Sequence, residues 1–173
     1  SIMISGGLAV LVTCVLWWSY FAWINEYLEH ELSKISGAKQ AQFGRDVFSF
    51  IHFPLICGII GIAIGFEKIL PYPEVPLTPS IAMSLGGGVI LFVGSTVTAL
   101  WRSSRILLVP RLFIIASIAG CTFLAIGRPP ELVLELIGAN LLILVVIEWR
   151  LCHRQFKSMH KDQIYIKLTS YSF

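Results

Sequence analysis

Residues 107–149 read LLVPRLFIIASIAGCTFLAIGRPPELVLELIGANLLILVVIEW, two apolar blocks parted by Gly127, Arg128, Pro129 and Pro130. Each block supplies the roughly 20 predominantly apolar residues that a helix needs to cross a hydrocarbon core about 30 Å thick. Three earlier blocks pass the same test, so the expected spans are about 4–24, 47–66, 81–101, 107–127 and 131–149. Strands are excluded, because an open sheet edge cannot be satisfied in lipid and no block alternates as a barrel strand does. The reading is an all-α, polytopic bundle of about five transmembrane helices over residues 1–150, followed by a basic tail at 151–173. Composition agrees: 56% of the chain is hydrophobic and 13% charged, against about 25% charged in soluble proteins. Mean hydropathy is +0.80, more apolar surface than one soluble core hides.

The net charge of +3 is a topology signal rather than a nucleic-acid footprint, because the basic residues lie between and after the apolar blocks. The first loop carries Lys34, Lys39 and Arg45, the third Arg102, Arg105 and Arg111, and the tail Arg150, Arg154, Lys157, Lys161 and Lys167. The opposite side has Lys68 and Arg128. This bias places the C-terminus in the cytoplasm and the N-terminus outside. Trp17, Trp18, Trp23, Trp101 and Trp149 gather at the same inner face, as an interfacial belt should. The first block is too long and aromatic for a signal peptide. An outside N-terminus beginning at Ser1 therefore predicts earlier helices of the same protein. Leu28, Leu32 and Ile35 among charged neighbours predict an amphipathic continuation of helix 1 through 25–44. Pro71, Pro73, Pro76 and Pro79 predict a stiff extended outer loop.

Chemistry concentrates at the start of the second span. Arg45, Ser49 and His52 are spaced i, i+4 and i+7, so a helix opening at Arg45 and Asp46 presents them on one face, with His52 about 10 Å inward. Pro54 then frees a carbonyl and kinks the helix. An ionisable side chain inside a span is a functional-site hypothesis, since it is costly to place there, and histidine titrates near neutral pH. The alternative is a neutral histidine bonded to a neighbouring helix. Glu148 lies beside Trp149 and Arg150 and reads as an interfacial residue with a local partner. Asn140, deep in the last span, needs a partner on another helix.

Gly58, Gly61 and Gly65 mark a close-packing face of the second span. Gly86, Gly87 and Gly88 read either as packing glycines or as an unwound segment exposing carbonyls. Cys14, Cys57, Cys121 and Cys152 are too widely spaced for a disulfide framework or zinc site. Cys152 is a packing residue or a lipidation site. A haem held by two histidines of this chain lacks its second ligand, because only His52 lies within a span. No P-loop, GxSxG or HExxH motif is present, so hydrolase and ATPase readings have no support and no catalytic residue is assigned.

The stretches Leu16-Trp17-Trp18-Ser19-Tyr20-Phe21 and Arg45-Asp46-Val47-Phe48-Ser49-Phe50-Ile51-His52-Phe53-Pro54-Leu55, continued by the glycines to Gly65, resemble the bacterial low temperature requirement A family. The resemblance covers about residues 11–70. It implies the C-terminal half of a multi-pass bacterial inner-membrane protein about twice this length, and it puts Arg45, Asp46, Ser49 and His52 on motif positions. The family commonly has an aspartate directly after its Tyr-Phe pair, where this chain has Ala22. The resemblance names no reaction. The residues support two functions, a transporter-like protein with a polar site at Arg45, Asp46, Ser49 and His52, or an accessory subunit of a respiratory or photosynthetic complex that packs through its helix faces; a third, a membrane-embedded enzyme, wants a paired nucleophile and base. Partners on either reading are the lipid bilayer and further helices or membrane subunits.

Overall fold

The computed structural model describes residues 2–24, 32–33, 35–46, 49, 51–101 and 107–170, with side chains described up to 153 except at 23, 24, 43 and 99. These residues form helices α1 (Ile2–Ser19), α2 (Ala38–Arg45), α3 (His52–Ile69), α4 (Pro79–Trp101), α5 (Leu108–Leu124) and α6 (Pro130–Ser170), and among them there is no strand. Four of the helices are long and apolar enough to cross a membrane, and α5, with 17 residues, is a shorter apolar helix. Their outer faces bear large apolar side chains such as Phe53, Ile60, Phe113, Phe123 and Ile143, which is the surface that lipid requires.

The helix ends follow local chemistry. Pro79 and Pro130 each occupy a first helical position, where a missing N–H costs nothing. Pro54 and Pro110 each stand third in α3 and α5, again where the backbone N–H has no partner within the helix. In the second span α3 begins at His52 and Pro54 stands in its first turn; residues 47, 48 and 50, just before it, lie outside those described. Gly127 takes φ +77° just after α5, a left-handed conformation that glycine adopts without a Cβ clash. The amide of Gly127 donates to the Leu77 carbonyl at 2.8 Å and that of Leu77 to the Arg128 carbonyl at 2.9 Å. The proline-rich loop is thus tied to the α5–α6 turn. Residues 25–31 and 34 of the amphipathic continuation expected over 25–44 lie outside those described, while its last part is helix α2. The basic tail begins as helix, since α6 runs unbroken for 41 residues, about 60 Å at 1.5 Å per residue and twice a hydrocarbon core.

Successive hairpins make neighbours of α3 and α4, α4 and α5, and α5 and α6, and α1 closes against α6. Helices α1 and α6 run parallel: Ser5 donates to Glu131 at 3.2 Å near their beginnings and Ser19 to Glu148 at 3.4 Å 14 and 17 residues further along. Exposed Trp17, Trp18, Trp101 and Trp149 consequently lie towards one end of the bundle, while the side chain of Trp23 lies outside those described.

Small residues set the α3–α4 contact. A Cβ on Gly58 would fall 2.6 Å from the Gly88 carbonyl oxygen, and one on Gly88 would fall 2.7 Å from the Gly58 oxygen. Ser84 donates its hydroxyl to the Gly61 carbonyl at 2.8 Å. On another face of α4, a Cβ on Gly86 would overlap the Thr122 side chain of α5. The glycine run is therefore not unwound: α4 is continuous through it, and Gly86 and Gly88 serve two different neighbours. Gly87 between them meets nothing within 4 Å. Asn140 donates to the Leu136 carbonyl at 2.8 Å within α6 and points at Cys121 Sγ of α5 at 3.8 Å. Cys152 is buried with Leu100 and Leu107.

Gly88→Ala should destabilise the detergent-solubilised protein by about 1–3 kcal/mol through overpacking. Gly87→Ala should be neutral or stabilising by up to about 1 kcal/mol from helix propensity. Thermal unfolding of the two variants side by side checks this contrast.

Candidate functional site

The interacting polar side chains lie in two adjoining layers at the end of the bundle where α1 finishes and α3 and α5 begin. In the inner layer Arg111, fourth residue of α5, is buried together with Glu148 of α6, the side chains being 1% and 0% exposed. Arg111 Nε donates to Glu148 Oε1 at 2.6 Å. Its Nη1 donates to Thr96 Oγ1 of α4, and its Nη2 to Ser19 Oγ at 3.0 Å and the Ser19 carbonyl at 3.4 Å on α1. Each hydroxyl has a second role. Thr96 donates its hydroxyl to the Val93 carbonyl at 2.6 Å, so its lone pairs face the guanidinium. Ser19 donates to Glu148 Oε2 at 3.4 Å. The planar guanidinium, with donors fixed in a fork, thereby joins α1, α4, α5 and α6. A cation in the first turn of α5 opposes the helix dipole, and the Glu148 carboxylate supplies the compensating charge.

This arrangement corrects two sequence expectations. Arg111 is a bundle-interior residue rather than a loop residue, and the partner of Glu148 is a buried arginine on another helix rather than an interfacial neighbour. A signal was available: Arg111 and Glu148 stand 18 residues either side of the Pro129-Pro130 turn, so an antiparallel hairpin brings opposite charges to one depth. Ser19, Thr96 and Tyr20 had no such signal, because hydroxyls inside apolar blocks are common and their partners are on distant segments.

The outer layer starts one residue beyond Ser19. At Tyr20 helix α1 widens into a π-helical turn, Tyr20–Ile24, a distortion frequent at functional sites. Tyr20 Oη and His52 Nε2 are hydrogen-bonded at 3.1 Å, with their rings edge to face at 6.0 Å. Beneath this pair runs a cleft of about 440 Å³ between α1 and α3, floored by Phe92 of α4 and walled by Leu16, Trp17, Leu55, Ile59 and Phe66 among others. That volume falls in the range of about 300–1,000 Å³ usual for ligand pockets. The cleft is apolar except at Thr13 and at the Tyr20–His52 end. Thr13 spends its hydroxyl on the Ala9 carbonyl at 2.9 Å.

The other sequence-derived residues lie just before α3. Arg45 ends α2 and its Nε is 3.7 Å from Asp46 Oδ1, with side chains 65% and 22% exposed. Ser49 is exposed. After α2, Asp46 and Ser49 are π-helical and α3 starts at His52, with residues 47, 48 and 50 outside those described. Among the described residues no cluster of three or more histidine, cysteine or acidic side chains is arranged to hold a metal.

Replacing Arg111 alone with Met should cost about 3–5 kcal/mol, since it leaves Glu148 buried and uncompensated. Arg111→Met with Glu148→Met should recover most of that loss, because two apolar side chains carry no desolvation penalty. Unfolding midpoints of the single and double variants in the same detergent decide the point.

The comparisons with known proteins follow the same outline. Residues 1–147 match the family model for the bacterial low temperature requirement A protein. An uncharacterized protein of Rhizobium meliloti (strain 1021) is 28% identical over 140 residues, covering 80% of this chain and 34% of that protein. The chain thus spans about a third of the length of this relative. No solved structure matches the chain. With most of its length inside the family model and four helices able to cross a membrane, this integral membrane protein belongs to the bacterial low temperature requirement A family.

Proposed function

We propose that this chain forms the solute-binding part of a transporter-like protein of the bacterial inner membrane, and that the solute is amphipathic. The observation that carries the reading is the α1–α3 cleft: apolar walls along its length, with one hydroxyl–imidazole pair, Tyr20 and His52, at its end. Apolar walls select a hydrocarbon body, and the polar pair gives a head group a donor and an acceptor, since imidazole and phenol each serve as either. Arg45, Asp46 and Ser49 precede His52 in the chain and supply charge and hydroxyl where such a head group would enter from water.

The orientation follows the basic residues. Arg111 is buried and leaves the tally, yet the first loop, Arg102, Arg105 and the tail still outweigh Lys68 and Arg128. The Tyr20–His52 end is accordingly cytoplasmic in this reading.

The test uses a variant in which Trp17, a wall of the cleft, is kept as the single tryptophan, titrated with 9,10-dibromostearate. Saturable quenching of Trp17 is expected. Ala63→Phe, which fills the cleft, should abolish it, and His52→Ala should weaken it about tenfold, or 1.4 kcal/mol. Unsaturable quenching, together with stoichiometric co-purification of other membrane subunits, would instead make this an accessory subunit.

A further inference from the structure

We propose that the occupant of the α1–α3 cleft is a phospholipid of the surrounding bilayer, which slides one acyl chain in sideways between the two helices. The inference rests on the cleft being a binding site and names the source of its ligand. The residues lining the cleft fall into two sets. Leu16, Leu55, Ile62 and Phe92 form a floor whose side chains are 5–7% exposed. Trp17, Phe21 and Ile59 line the same cleft at 58%, 51% and 48%, and Thr13 and Ala63 are exposed as well. Residues four apart on a helix stand one above another, so Thr13, Trp17 and Phe21 make one lip along α1 and the turn that follows it, and Ile59 and Ala63 make the other along α3. The cleft is therefore a slot that runs with the helices and is open along its flank, rather than a pocket entered from one end.

What the flank opens on decides the ligand. Both lips belong to segments long and apolar enough to cross a membrane, and beside them α3 exposes Phe53, Ile56 and Ile60 and α1 exposes Val10. The slot is thus continuous with the surface that lipid covers. From His52 to Phe66 it runs about 20 Å along α3 at 1.5 Å per residue, somewhat more than one leaflet of a hydrocarbon core about 30 Å thick. Over that length a volume of about 440 Å³ leaves a cross-section of about 20 Å², one hydrocarbon chain wide. A chain already in the bilayer gains no hydrophobic free energy on entering, because lipid tails are as apolar as the walls. Retention then depends on close packing against the aromatic walls and on the Tyr20–His52 pair at the end of the slot, where phenol and imidazole can donate to the ester and phosphate oxygens of a head group. Exposed Trp17 and Trp18 stand within one turn of Tyr20, and tryptophans of this kind sit at head-group level. With the orientation proposed above, the leaflet that supplies the lipid is the cytoplasmic one.

Photolabelling from within the bilayer tests this. The wild-type chain is reconstituted in vesicles of phosphatidylethanolamine and phosphatidylglycerol that contain a phosphatidylcholine with a diazirine in one acyl chain, and labelled sites are mapped by peptide mass spectrometry. Phe53 and Ile60, on the outer surface, should be labelled in proportion to the probe. Leu16, Ile62 and Phe92, on the floor, should be labelled too, and their labelling should saturate as the mole fraction of probe rises. Ala63→Phe should lower floor labelling at least tenfold and leave Phe53 within twofold of wild type; should that variant fail to fold, saturation at the floor of the wild type decides. A diazirine fatty acid in the same vesicles keeps the two readings apart. If the fatty acid labels the floor while the phospholipid labels only Phe53 and Ile60, the cleft binds a free single-chain amphiphile and the bilayer-lipid proposal is overturned. If neither probe labels the floor, the binding-site reading falls and the proposal with it. Benzoylphenylalanine in place of Ile59, irradiated in intact membranes, reveals any other occupant: crosslinks to phospholipid support the proposal, and crosslinks to a second polypeptide segment overturn it.

Discussion

The guanidinium of Arg111 is the constraint on which this bundle turns. Lipid gives helices no hydrophobic reason to associate, because its tails are as apolar as leucine, so packing and interhelical hydrogen bonds must choose the neighbours. A charge in a span costs about 2.5–3.5 kcal/mol even on the lenient insertion scale, and that cost is offset only if the bundle forms around it. Glu148, Thr96 and Ser19 meet the Arg111 donors from α6, α4 and α1. An alternative packing that removed one of these helices would leave a charge or a donor unsatisfied in a dry medium. The pair ties together four helices, whereas its contribution to stability is offset by the cost of taking both charges out of water.

Around that centre the remaining contacts are steric. Gly58, Gly61 and Gly65 let α3 lie on α4 with backbone against backbone, while Gly86 admits Thr122 of α5. The close approach on these faces of α4 contrasts with the cleft between α1 and α3, which has bulky walls at Trp17, Phe66 and Ile59. Close packing on one side and bulk on the other leave the volume that the functional reading uses. The π-helical turn after Ser19 places Tyr20 over one end of that volume, so the site and the ion pair share a two-residue junction.

Much of this architecture was legible in the residues themselves. Apolar blocks of about 20 residues between basic loops dictate membrane-crossing helices, since backbone polar groups in lipid have no partner outside their own segment. Glycine at Gly58, Gly61 and Gly65 announced a close-packing face, and Trp17, Trp18, Trp101 and Trp149 an aromatic end. His52 stood out because an imidazole inside an apolar block is unusual. Less was legible where partners are distant: the i, i+4, i+7 spacing of Arg45, Ser49 and His52 announced polar residues at the start of the span, but not that His52 would meet Tyr20 of α1.

What the sequence by itself determined is the solvent in which this protein lives, its all-helical character, and the small residues that let the helices approach. Those properties depend on local hydrophobicity and size, which each residue carries wherever it is placed. Only the tertiary structure decided that Arg111 is an interior residue, that Glu148 is its counter-ion, that Ser19 and Thr96 complete the set, and that Tyr20 meets His52 over an apolar cleft. A hydrogen bond between residues 92 apart, as from Arg111 to Ser19, depends on which helix faces which. That choice is made by the simultaneous satisfaction of every buried donor and acceptor rather than by any one segment.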